Sequence, residues 1–100
     1  MYFLVLEAYP RNTHPEYGAI DGAFAACFVD AASPAAAELS ARTFLNESGW
    51  DIEDIDEGPR WIDRTELEGN AQSLERFGQA CLDGIVVTLN TWPVGAPDEE

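Results

Sequence analysis

Polar and apolar residues alternate at both ends and in the middle of the chain, and recur at helical spacing in between. In YFLVLEAY (residues 2–9), Tyr2, Leu4, Leu6 and Ala8 make one face of an extended segment, and Phe3, Val5, Glu7 and Tyr9 make the other. A strand apolar on both faces, Glu7 excepted, predicts a central position or cover on both sides. AFAACFVD (23–30) reads as a second strand whose alanines let another layer approach. Between the two lies PRNTHPEYGAIDG, residues 10–22, rich in Pro, Gly, Asn and Asp. It reads as a loop longer than the ~2–5 residues of a hairpin connection, and long loops are often functional.

Ser33-Pro34 supplies an N-cap and a first-turn proline for a helix running to about Ser48, with Gly49 as its stop. Ala37, Ala41, Phe44, Leu45 and Ser48 share its predicted inner stripe. Trp50–Glu57 reads as a strand, with a bulge returning Ile55 to the side of Trp50 and Ile52. Gly58-Pro59 reads as a turn, and residues 60–63 as a short return strand carrying Trp61. A second helix is expected from about Asn70, or from an earlier cap at Thr65 with Glu68, to Gly84. Its expected stripe is Ala71, Leu74, Phe77, Gly78 and Cys81; IVVTLNTW (85–92) follows as the last strand, ended by Pro93.

The order β-β-α-β-(β)-α-β predicts an α+β fold. The expected form is a two-layer sandwich, a mainly antiparallel sheet of four or five strands with both helices on one face. Without its first strand the order resembles the ferredoxin-like arrangement; the likeness is of element order alone and implies no function. One domain is expected over residues 1–94, with 95–100 as a flexible acidic tail.

Charge alters the picture more than length does. The 100 residues hold 19 acids against five bases, a formal net charge of −14, and every base is an arginine. Such a chain repels phosphate backbones and anionic lipid, so neither direct nucleic-acid binding nor membrane association is expected. It suits a basic protein partner. MYFLVLEAYP lacks the basic start of a signal peptide and the length of a membrane span. Cys27 and Cys81 show no CxxC spacing and lie in apolar periods, predicting two buried free thiols in a reducing cytoplasm.

Candidate chemistry falls into two groups. GWDIEDIDEGP packs Asp51, Glu53, Asp54, Asp56 and Glu57 into one stretch. A calcium loop fails there: counting from Asp51 puts Ile55 at a ligand position, and counting from Asp54 puts Pro59 where glycine is needed. The run is therefore assigned as a docking face for a basic protein, with Trp61 or Trp92 as anchor. In size and charge this suits an inhibitor or immunity-type protein, one form of which mimics nucleic-acid charge. The second group is a ligand or catalytic pocket around Glu7, Arg11, His14, Glu16 and Tyr17, using the single histidine as acid or base. No nucleophile signature accompanies it, and one histidine with carboxylates falls short of a zinc site, so no cofactor or metal is expected. A homodimer pairing through a sheet face is the third reading.

Overall fold

The computed structural model describes residues 1–15 and 17–93. Glu16 and the expected acidic tail lie outside the described residues. The elements are β1 (Tyr2–Pro10), β2 (Ile20–Val29), α1 (Pro34–Glu47), β3 (Trp50–Trp61), a 3-10 turn (Arg64–Leu67), α2 (Ala71–Asp83) and β4 (Ile85–Pro93). The four strands form one antiparallel sheet in the order β3-β1-β2-β4. The α+β class and the antiparallel sheet are as the periodicity predicts. β1 is central, as its two apolar faces require.

Local chemistry sets the helix ends. The Ser33 hydroxyl accepts from the Ala36 N–H at 3.1 Å, and the Asn70 side chain accepts from the Ser73 N–H at 3.1 Å. Gly49 and Gly84, at φ +93° and +90°, adopt the left-handed turn that ends each helix. The expected Thr65–Glu68 cap is displaced by two residues: the Glu66 carboxylate accepts from the Asp63 N–H at 3.1 Å.

Strand β3 departs from expectation. Gly58 and Pro59 make no turn, and residues 60–61 make no return strand; one strand runs on from Trp50 to Trp61. Eight steps along β1, from Tyr2 to Pro10, match eleven along β3, so three extra residues are absorbed at three register shifts. Proline is tolerated because β3 is an edge strand, where a missing N–H breaks no ladder. The bulge expected between Ile52 and Ile55 is present: Ala8 faces Ile52 while Glu7 faces Asp54, leaving Glu53 over. Ile52 and Ile55 thus both pack towards α1.

The helices lie on opposite faces of the sheet, where a shared face was expected. Leu4, Leu6, Ala8, Ala25, Cys27 and Val29 pack with Ala37, Ala41 and Leu45 of α1. The alternate positions Phe3 and Phe28 pack with Val86, Ile62, and Ala80 and Phe77 of α2. Successive side chains of a strand point to opposite faces, so the two clusters sit on the two sides. The core under α1 contains the larger share of buried apolar side chains. Leu4, Leu6 and Leu45 are each at most 1% exposed, worth about 1.5–3 kcal/mol apiece. Cys27 is buried, but Cys81 is exposed, which corrects the expectation of two buried thiols. The inner line of α2 passes through Ala80 rather than Cys81.

Candidate functional site

The sheet face turned away from α1 can be laid out as rows of side chains, because directly paired residues on adjacent strands share a face. The first row is Arg60, Phe3, Phe28 and Val86, and here α2 supplies the cover. Next comes Glu57, Val5, Ala26 and Thr88. The third row is Asp54, Glu7, Phe24 and Asn90. In the fourth, Asp51 pairs with Tyr9 and Gly22 with Trp92. Within the last three rows Asp51, Asp54, Glu57, Phe24 and Asn90 are exposed, and Val5, Glu7, Tyr9, Thr88 and Trp92 are half-buried. Half of this face is therefore open, acidic along β3 and aromatic towards β4.

The aromatic part is built around a glycine. Trp92 stands 5.1 Å from Phe24 and 6.2 Å from Tyr9, ring centre to ring centre, the latter edge-on at 85°. A Cβ on Gly22 would collide with the Trp92 indole and come within 3.0 Å of the Tyr9 ring. The missing side chain lets Trp92 lie across β2. Burial, followed by the Glu7 carboxylate and a hydrogen bond to it, then Glu53 and Asp21, raises the Tyr9 phenol above its ordinary value. These carboxylates favour the neutral phenol over the phenolate.

All five acids of the run, Asp51, Glu53, Asp54, Asp56 and Glu57, are exposed. Asp51, Asp54 and Glu57 join the open face, whereas Glu53 and Asp56 are the residues left over at bulges. Among the described residues one ion pair reaches the run, Arg11 Nε to Asp51 Oδ1 at 2.8 Å. Arg60 instead pairs with Glu66 at 3.6 Å and stacks over Phe3. The two tryptophans are not brought together. Trp92 is on the open face, while Trp61 sits at the far end of the sheet, edge-on to Tyr2 on the α1 side.

The second group of candidates is also divided. Glu7 lies on the open face; His14 packs at 4.8 Å on Trp50, which belongs to the core under α1. Arg11 ties the loop down, its guanidinium donating to Asp51, to the Asn46 carbonyl and side chain, and to the Trp50 carbonyl at 2.8–3.2 Å. That makes Arg11 a clamp on the end of α1 and the start of β3. Tyr17 is 59% exposed and lines, with Tyr9, Pro10, Gly18, Ile20 and Asp21, an open cleft of about 300 Å³ beside the aromatic group. Glu16 lies outside the described residues.

Phe24 and Gly22 are the members of this face that sequence reasoning missed. The available signal was the alternation itself: Phe24 falls on the β2 face opposite to Cys27, beside Glu7 of β1. Among the described residues, no group of three or more His, Cys, Asp or Glu is arranged to hold a metal ion. No helix among them is long and apolar enough to cross a membrane. No protein-family model, curated protein or solved structure matches this chain.

Proposed function

We propose that this is a binding protein whose open, acid-bordered sheet face docks a basic protein partner. The observation that carries this reading is the joining of Asp51, Asp54 and Glu57 with Phe24 and Trp92 on one uncovered face. Interfaces gain affinity from desolvated aromatic anchors and gain speed and selectivity from complementary charge. Here both occur on the same surface. Edge protection is the competing explanation for the acids, since charges and bulges blunt an exposed strand. Three bulges and Pro59 already serve that end on β3, so five acids exceed what the edge requires. The formal charge of −14 extends the attraction outwards, to about 8 Å at physiological ionic strength. Occlusion of the partner's own site, as by an inhibitor or immunity-type protein, fits such a surface and the small size of the chain.

Capture from the source cell extract at low and physiological salt tests this. The wild type is compared with a variant carrying Asp51→Asn, Asp54→Asn and Glu57→Gln. A basic protein retained by the wild type and released from the variant supports the reading. Equal retention by both, or retention of acidic proteins alone, sinks it.

A further inference from the structure

The third row holds two carboxylates directly opposite each other, Glu7 on β1 and Asp54 on β3. Like charges so placed destabilise a sheet unless a cation lies between them. Four of the chain's five arginines are engaged elsewhere. Arg11 pairs with Asp51, Arg42 with Glu38 and Arg60 with Glu66, while Arg64 lies over Phe77. Phe24 is paired directly with Glu7 on the other side, and Trp92 stands against Phe24. Carboxylates and ring faces, both attractive to a cation, therefore adjoin on one open patch.

We propose that this patch receives an arginine side chain of the basic partner, its guanidinium between Glu7 and Asp54 and its stem along Phe24 and Trp92. The inference rests on the reading of this face as a docking surface for a basic protein. Guanidinium fits better than ammonium for two reasons. Its planar fork presents several donors, enough for two carboxylates at once, and its weaker hydration lets it stack on rings. Gly22 has a part in this, because the flat placement of Trp92 depends on it. The raised Tyr9 phenol stays protonated at neutral pH, so it adds a hydrogen-bonding ring rather than a further charge.

The probes are N-acetyl-arginine amide and N-acetyl-lysine amide, titrated into the full chain while the ring resonances of Tyr9, Phe24 and Trp92 are followed by NMR. Saturable shifts concentrated on these rings are expected for the arginine probe, with the lysine probe weaker by about tenfold. Glu7→Gln and Asp54→Asn each keep side-chain shape and should abolish saturation, with the remaining amide spectrum reporting an intact fold. Shifts spread over the acidic residues without saturation, or saturation unchanged in Glu7→Gln, overturn the proposal; equal affinity for both probes overturns the choice of guanidinium. Failure of the docking reading looks different. If the arginine probe saturates but no basic protein is captured, the patch stands and the protein partner falls. If a basic protein is captured and the probe does not bind, the reverse holds.

Discussion

Adding one methyl group at Gly22 should unseat the aromatic group of the open face. Gly22 lies outside the positive-φ glycines, so alanine meets no backbone strain there. The obstacle is steric. The new Cβ would overlap the Trp92 indole, lie 2.9 Å from its Cε2 and 3.0 Å from Cε1 of Tyr9. An indole is rigid and cannot bend aside, so Trp92 must swing away from β2. It then loses its edge-on contact with Tyr9 and its tilted contact with Phe24. Each such pair is worth about 0.5–1.5 kcal/mol, so the loss is about 1–3 kcal/mol. Replacing glycine by alanine restores about 0.4–1 kcal/mol by restricting the unfolded chain. The net expectation for Gly22→Ala is a destabilisation of about 1–2 kcal/mol, or roughly 5–15 °C in Tm for a domain of this size.

Urea unfolding followed by circular dichroism measures the loss, and near-ultraviolet dichroism reports the aromatic packing. The decisive control is the same change in a Trp92→Leu background. With the indole gone, Gly22→Ala should be neutral or stabilising by up to about 1 kcal/mol. A Gly22→Ala protein as stable as the wild type, with unchanged near-ultraviolet signal, would refute the placement of Trp92 over β2.

Native protein should react with one equivalent of a thiol reagent, at exposed Cys81; Cys27 should react only on unfolding, because burial pushes its thiol up to about 12. Two fast thiols, or a fast thiol surviving Cys81→Ser, would show that Cys27 is not core. The same elevation sets a pH window. A thiol whose folded value exceeds its unfolded one, 9.0 against about 12, contributes stability fully present below pH 9 and lost as pH rises towards 12. The slope is at most about 1.4 kcal/mol per pH unit, and Cys27→Ala should flatten it in unfolding curves taken from pH 8 to 11. Arg11→Ala should destabilise by about 1–3 kcal/mol by freeing the end of α1 from β3, and Arg11→Lys should recover little, lacking the planar fork. Full recovery by lysine in thermal melts would mean that charge alone sets the Arg11 contribution.

Much of the fold was legible in periodicity and capping signals. Ser33-Pro34, Gly49, Asn70 and Gly84 delimit the helices because each supplies a backbone need that few other residues meet. The errors have physical causes. Gly58-Pro59 carries turn chemistry, but an edge strand tolerates proline and a bulge absorbs the extra residues, so the local signal lost to pairing with β1. The division of the helices was foreshadowed by β1 itself, since Phe3 and Val5 opposite Leu4 and Leu6 need cover on a second face. Along α2 Phe77 packs inward as its spacing predicts, but the next turn presents Ala80 rather than Cys81 to the sheet. Of the candidate site, the acids were legible as a run. Their alignment with Tyr9, Phe24 and Trp92 was not, because it depends on three bulges, of which the sequence signalled only the one between Ile52 and Ile55.

That alignment bears on which partner the proposed docking face would select. An exposed apolar patch invites pairing with a second copy of the same chain as readily as with another protein. Here the invitation to self-pair is opposed. Two copies meeting through this face would bring two sets of Asp51, Asp54, Glu57 and Glu7 together, within a total charge of −14 each. Like-charge juxtaposition of this kind costs several kcal/mol, more than a rim of half-exposed rings readily returns. A basic partner meets the same rings without that cost and gains from the field as it approaches. In the proposed docking role the acids would act on both sides of the choice, opposing homotypic pairing and favouring a basic partner, which is how a specific interface is separated from a merely sticky one. Aromatic exposure on an otherwise uncovered sheet is tolerable because the neighbouring strand is charged, and on the proposed reading the rings would anchor what that charge attracts.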